Sequence, residues 1–137
     1  MFSTKLNMEV IGGQVYAVVS PLVYENNELI LQVNPNFDFD GASVPQCLWS
    51  FGFSPMTGGY QRSACLHDAL YASEYFPREI CDVLFLEAME SEGVSYMKRY
   101  SMYYAVRSFG WTVWRNHKKE EVNDYKRYVT CINKLTF

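Results

Sequence analysis

The sequence predicts an α+β fold, with a small antiparallel β element at the N-terminus and helices after it. Three observations support this prediction: Val- and Tyr-rich segments within residues 8–33, a Pro-, Gly- and aromatic-rich loop over 34–59, and helical periodicity over 60–128. The 137 residues contain no internal repeat and no linker-like segment, so we expect one domain over 1–137.

The β element is indicated by two short segments. "GGQVYAVVS" follows a pair of glycines and is rich in Val and Tyr, and "ELILQV" follows the turn-like "YENNE". Together they predict a small antiparallel sheet or hairpin over residues 8–33.

The loop over 34–59 is unusually long for a compact domain, and loops of this length are often functional. It contains three prolines and the segment "FDFDGASVP". Its many Phe and Trp residues favour an ordered conformation over disorder.

Helical periodicity predicts four helices, at 61–73, 77–91, 95–109 (ending near Gly110) and 120–128. Pro77 suits the first turn of the second helix. The connection "EYFP" between the first two helices is short, so these two helices should be antiparallel neighbours.

Two ionisable side chains occupy apolar helix faces. The neighbours of His67 three and four residues away are Ala64, Leu70 and Tyr71, and those of Asp82 are Phe85, Leu86 and Met89. Because a buried carboxylate and a buried imidazole each need a polar partner, we expect His67 and Asp82 to pair across the helical hairpin.

Such a pair has a chemical use, because a carboxylate on one ring nitrogen lets the other accept a proton from water or a hydroxyl. Asp68 is rotated by about 100° from His67 around the helix and is available to bind a cation nearby. Asp40, in a glycine-containing loop, is a second candidate ligand. Carboxylates and backbone carbonyls together favour Ca²⁺.

Structural interpretations of these residues stay open at this point. A His–Asp pair between helices is often only a satisfied contact, Tyr71 can be a core residue, and the "DG" at Asp40 is a turn signal. An HD-type metal phosphohydrolase fits poorly, since no histidine precedes His67. His117 is predicted to be a surface residue.

Composition excludes several classes of protein. With 12 basic and 15 acidic residues, the net charge of −3 argues against a nucleic-acid-binding protein. The N-terminus lacks the apolar region of a signal peptide, and no segment is long enough to span a membrane, so we expect a soluble cytosolic chain. The four cysteines form no Cys-x-x-Cys motif and are expected to be buried free thiols.

Four motifs carry a resemblance to a known family: "DGASVP", "HDALY", "REICDVLF" and "AVRSFG". Over residues 37–110 the chain resembles an uncharacterised domain family carried mainly by bacteriophages. The order of these elements also resembles the secreted phospholipases A2 of bacteria and fungi, including Phe51-Gly52-Phe53 ahead of the His-Asp helix.

The resemblance implies a phospholipase A2-like helical core and hydrolysis of a phospholipid or another ester. His67 would activate water, Asp82 would orient His67, and Tyr71 would hydrogen-bond Asp82. Asp40, the carbonyl of Gly41 and Asp68 would hold Ca²⁺, and the motif favours Asp40 over Asp38. The β element over 8–33 and the absence of expected disulfides depart from the secreted enzymes.

Two alternatives retain this fold without the chemistry. One is a virion or tail accessory protein, and the other is a host-interaction protein that inhibits a defence system. In each case we expect synthesis in the host cytoplasm, with virion association as an alternative location.

Overall fold

A computed structural model describes residues 1–13, 15–40 and 59–136. Within these ranges, five strands precede the helices, and a sixth strand follows them. The strands are β1 Met8–Gly12, β2 Val15–Val18, β3 Leu22–Glu25, β4 Leu29–Val33, β5 Asp38–Phe39 and β6 Val129–Asn133. The helices are α1 Gln61–Ser73, α2 Arg78–Ser91, α3 Tyr96–Arg115 and α4 Lys119–Tyr125, with short 3-10 turns at Lys126–Tyr128 and Lys134–Thr136.

The strands form two three-stranded antiparallel sheets, in the orders β1-β2-β5 and β3-β4-β6. Side chains of β3 and β4 alternate, so that Leu22, Tyr24, Leu31 and Val33 are all buried in the core. The β1–β2 turn contains Gly13 at φ +56°, a conformation that favours glycine.

The predicted α+β class and N-terminal antiparallel element are confirmed. The two predicted segments correspond to β2 and β4, but these strands lie in different sheets, where β2 pairs with β1 and β4 pairs with β3. The structure also has two strands outside residues 8–33. β5 lies inside the segment interpreted as loop and pairs with β2 through Tyr16–Phe39 and Ala17–Asp38. β6 comes from the C-terminal segment and pairs with β4 along its whole length, from Leu29–Asn133 to Val33–Val129.

α1 is the central helix of the fold, and ten of its thirteen residues are buried. It packs against α2, α4 and strands of both sheets. The backbone N–H of Ser63, near the start of α1, bonds Glu92 just after α2, while Tyr71 near the end of α1 meets Arg78 at the start of α2. The two helices are therefore antiparallel neighbours, as predicted.

The predicted end of the third helix near Gly110 is wrong, because α3 continues to Arg115. A Cβ atom at position 110 would lie 2.6 Å from the hydroxyl oxygen of Tyr71. Glycine at this position therefore allows close packing of α3 on α1 and does not end the helix. The predicted last helix is shorter than expected, since α4 ends at Tyr125 and a 3-10 turn follows.

Within the described ranges, no helix combines the length and the apolar character needed to cross a bilayer.

Candidate functional site

A buried imidazole–carboxylate pair lies between α1 and α2. His67 Nε2 is 2.8 Å from Asp82 Oδ1, and both side chains are fully buried. An ionised carboxylate can only accept hydrogen bonds, so Nε2–H of His67 is the donor. In neutral His67 the remaining lone pair is therefore on Nδ1.

Asp82 accepts three further hydrogen bonds. The hydroxyl of Tyr71 donates to the same oxygen, Oδ1, at 2.7 Å. Oδ2 accepts from Arg107 Nη1 at 2.8 Å and from Arg78 Nη1 at 3.4 Å. We call these five side chains, namely His67, Tyr71, Arg78, Asp82 and Arg107, the Asp82 cluster.

These contacts set the ionisation of the pair. Burial alone would raise the pKa of Asp82, but hydrogen bonds from His67, Tyr71 and Arg107 outweigh it, and the pKa of this carboxyl is lowered. Burial lowers the pKa of His67, an effect that Asp82 opposes and that the charge of Arg78 reinforces. The pair is therefore a carboxylate beside a neutral imidazole at neutral pH.

Aromatic rings fix the plane of the imidazole. Phe85 stacks on His67 with ring centroids 4.4 Å apart and an interplanar angle of 24°, and the Tyr71 ring lies 4.3 Å away. The hydroxyl of Tyr71 is held by its bond to Asp82, and burial raises the pKa of this phenol well above its ordinary value. At neutral pH Tyr71 is therefore a hydrogen-bond donor to the cluster.

A cavity of about 230 Å³ lies beside this cluster. Tyr71 belongs to both, because it lines the cavity and bonds Asp82. Acidic side chains on the wall are Asp38, Asp40, Asp68 and Glu121, and the apolar wall consists of Phe37, Ala72, Val113 and Val122. No lysine or arginine is among the described lining residues, so the cavity is suited to a positively charged ligand.

Asp38 and His117, both on the cavity wall, have partners within the described residues. Asp38 accepts a hydrogen bond from the hydroxyl of Tyr125, at 2.9 Å to one oxygen and 3.1 Å to the other. His117, predicted to lie at the surface, is instead half-buried on the wall, with its Nδ1 3.2 Å from Glu74.

The structure brings together most of the residues singled out from the sequence. His67, Tyr71 and Asp82 are in mutual contact, and Asp40 and Asp68 line one cavity. Gly41 and the Phe51-Gly52-Phe53 segment lie outside the described residues. Cys65, Cys81 and Cys131 are free thiols, and Cys65 and Cys81 are buried as expected. Cys131 was expected to be buried but is only partly so, and Cys47 lies outside the described residues.

Arg78 and Arg107 were not predicted as members of the site. Arg78 precedes Asp82 by four residues on the same helix, a spacing that places the two side chains together, and this signal was available in the sequence. Arg107 reaches Asp82 from α3 across 25 residues of sequence, and the helical pattern alone does not indicate this contact.

No group of three or more His, Cys, Asp or Glu residues within the described ranges is arranged to hold a metal ion. A cation in the cavity would therefore need backbone carbonyls or water in addition to Asp40 and Asp68. Calcium sites use such mixed oxygen ligands.

Two curated proteins of one bacterial strain are similar to this chain over more than half of its length. The chain is 37% identical over 78 residues to "Uncharacterized protein y4jT" of Sinorhizobium fredii (strain NBRC 101917 / NGR234), covering 54% of this chain and 23% of that protein. It is 33% identical over 79 residues to "Uncharacterized protein y4iH" of the same organism, covering 58% and 33% respectively. The chain thus spans about a quarter to a third of the length of these curated relatives. No solved structure gives a significant match.

A family model matches residues 16–106, which include His67, Asp68, Tyr71 and Asp82. The chain therefore belongs to the family described as "Protein of unknown function (DUF1353)".

Proposed function

We propose that this protein is a phospholipid ester hydrolase of the phospholipase A2 type, encoded by a bacteriophage. The observation that carries the proposal is the His67–Asp82 pair beside a cavity lined by Asp40 and Asp68. The phage origin rests on the resemblance of the "DGASVP", "HDALY", "REICDVLF" and "AVRSFG" motifs to a phage-borne family.

In the proposed reaction His67 is the general base. With Nε2–H donated to Asp82, its Nδ1 accepts a proton from water as the water oxygen bonds to the ester carbonyl carbon. The carbon–oxygen bond to the glycerol then breaks, and the proton on Nδ1 passes to the departing alkoxide. The products are a fatty acid and a lysophospholipid.

Asp82 and Tyr71 hold the imidazole for this step. Asp82 keeps the proton on Nε2 and stabilises the imidazolium that forms transiently, and Tyr71 keeps Oδ1 of Asp82 directed at His67. The stacked ring of Phe85 limits rotation of the imidazole out of this plane.

Asp40 and Asp68 are the residues that would hold Ca²⁺, together with the carbonyl of Gly41, which lies outside the described residues. The donor set fits a hard cation, because two carboxylates line the same cavity and no cationic side chain is among its described lining residues. When bound, Ca²⁺ supplies charge stabilisation for the oxyanion of the ester. The apolar wall of the cavity is suited to the hydrocarbon part of a lipid.

The experiment is fatty-acid release from mixed phospholipid vesicles in millimolar Ca²⁺ or in chelator, for the parent protein and His67→Ala. Release that requires Ca²⁺ and is lost in a folded His67→Ala variant supports the proposal. A folded parent that releases no fatty acid at millimolar Ca²⁺ contradicts it.

One observation favours a second candidate that retains the fold without the chemistry, which we propose as a virion or tail accessory protein. His67 is fully buried, as are most residues around it on α1, which is typical of a structural pair. Co-purification of the protein with virions, together with the same virion yield from a His67→Ala phage, would support this candidate. Capture of a host defence protein, indifferent to His67, would instead support the host-interaction alternative.

A further inference from the structure

Oδ2 of Asp82 is held by two arginines that come from different helices. Arg78 lies on the same helix as Asp82, at 3.4 Å, and Arg107 reaches it from α3 at 2.8 Å. Oδ1 is left to His67 and Tyr71. Each oxygen of the buried carboxylate therefore has two donors, and the two oxygens face different helices.

The two arginines differ in their other contacts. Arg78 also donates to the backbone carbonyl oxygens of Val106 at 3.0 Å and of Arg107 at 3.3 Å, and to the Tyr71 hydroxyl at 3.4 Å. It thereby links α2 to the backbone of α3. For the Arg107 side chain, the hydrogen bonds within the described ranges go to Asp82 alone, and this side chain is 30% exposed against 19% for Arg78.

We propose that Arg107 is a positioning residue, which holds Oδ2 of Asp82 so that Oδ1 stays in line with Nε2–H of His67. This inference rests on the proposed hydrolase function. Arg78 has a different role, which is to fasten α2 to α3.

The Asp82 carboxylate can rotate about its bond to the side-chain carbon unless both of its oxygens are held. A carboxylate accepts hydrogen bonds in the plane of its two oxygens, so a strong charge-assisted bond to Oδ2 also fixes the direction of Oδ1. Without Arg107, Oδ2 retains only the longer bond from Arg78, and the carboxylate can turn away from the imidazole. Functional groups must be held within about 10–20° of their productive geometry, so a turned Asp82 should slow the chemical step and not weaken substrate binding.

The first test separates orientation from binding in the vesicle assay. We expect Arg107→Ala to lower kcat about 10- to 100-fold with little change in KM, in the range typical of lost supporting contacts. Arg107→Lys keeps the charge and a donor and should recover most of the rate. Added guanidinium ion should partly rescue Arg107→Ala, because the Arg107 side chain is partly exposed. Arg115→Ala, on the same helix but outside the Asp82 cluster, is the matched control and should have the kcat of the parent.

The second test does not depend on activity. The chain has only two histidines, so His117→Asn leaves His67 as the single source of imidazole ¹⁵N signals. At one neutral pH, His67 in this background should show a single tautomer with the proton on Nε2. Adding Arg107→Ala should give a mixture of tautomers, and adding Arg115→Ala should leave the spectrum unchanged.

These outcomes distinguish the two proposals. An inactive parent whose His67 tautomer still depends on Arg107 would refute the hydrolase and retain the positioning role. An active parent with unchanged kcat and tautomer in folded Arg107→Ala would overturn the positioning role alone. If Arg107→Ala does not fold, Arg107→Gln replaces it, and an unchanged kcat and tautomer in that variant would equally overturn the inference.

Discussion

The Asp82 cluster and the cavity, which both border α1, have opposite electrostatic characters. In the Asp82 cluster, a fully buried carboxylate is surrounded by donors, with two arginines, a tyrosine and a histidine on its two oxygens. In the neighbouring cavity, four acidic side chains share a wall whose described residues include no lysine or arginine. Tyr71 belongs to both regions.

The difference indicates a division of roles. A satisfied, aromatic-walled cluster holds its groups in one geometry, which suits orientation of a proton acceptor. A cavity with excess negative charge is stabilised when a cation enters, which suits ligand binding. The Asp82 cluster should therefore be rigid, and the cavity should be stabilised by a bound cation.

The largest expected effect is a loss of unfolding free energy when the Asp82 cluster is disrupted. Asp82→Ala would leave two arginines next to His67 without their carboxylate, and breaking a buried ion pair in this way costs about 3–5 kcal/mol. Urea denaturation should show this loss of unfolding free energy. Asp124→Ala, an exposed aspartate on α4, is the control and should change stability by less than about 0.5 kcal/mol. Equal effects of the two substitutions would contradict a charged cluster.

A smaller effect tests the contact between α3 and Tyr71. Gly110→Ala should destabilise the parent by about 1–3 kcal/mol, because the new Cβ meets the Tyr71 hydroxyl at 2.6 Å. In a Tyr71→Phe background the hydroxyl is absent and the nearest ring carbon lies at 3.4 Å, so the same change should be much milder. A double-mutant cycle by thermal unfolding measures this coupling. Additive effects would show that Tyr71 does not approach Gly110 closely.

The cavity should respond to a cation more weakly. At five times Kd, Ca²⁺ should stabilise the parent by roughly 1 kcal/mol, seen as a rise in Tm. Asp68→Asn should abolish this rise, because it removes a carboxylate from the cavity wall. Glu28→Gln makes the same charge change at an exposed position away from the cavity and should retain the rise. A Tm shift of equal size in both variants would contradict a specific site.

The smallest expected effect is the reaction of the native cysteines with a thiol reagent. Burial raises the pKa of Cys81 to about 12, and it also raises the pKa of Cys65, so both stay protonated and unreactive at pH 8. In a Cys47→Ser background, a thiol reagent should modify Cys131 alone, as counted by mass spectrometry of the native protein. Rapid labelling of Cys81 would mean that the helical hairpin opens readily.

The local sequence pattern was sufficient to predict the helical hairpin of α1 and α2. Apolar spacing predicts α1 and α2 with nearly the observed limits, and the polar interruptions at His67 and Asp82 predict their pairing. Both follow from the sequence because the two helices are adjacent in the chain and their connection is short.

The local sequence pattern did not predict contacts between segments that lie far apart in the chain. β6 is placed by pairing with β4 about a hundred residues earlier, and a five-residue segment that follows a highly charged stretch does not by itself indicate this distant partner. α3 continues beyond Gly110 despite the low helix propensity of glycine, and the close approach of Tyr71 to this position is a contact between residues far apart in the chain. Arg107 was missed for the same reason, since its partner Asp82 lies on another helix.

The most direct test of the central claim is a calcium dose–response of fatty-acid release from phospholipid vesicles, for the parent, Asp68→Asn and Arg107→Ala. We expect Asp68→Asn to raise the half-saturating Ca²⁺ concentration by about tenfold or more, whereas Arg107→Ala should lower the maximal rate and leave the Ca²⁺ requirement unchanged. No release by a folded parent at millimolar Ca²⁺, or the same parameter altered in both variants, would contradict it.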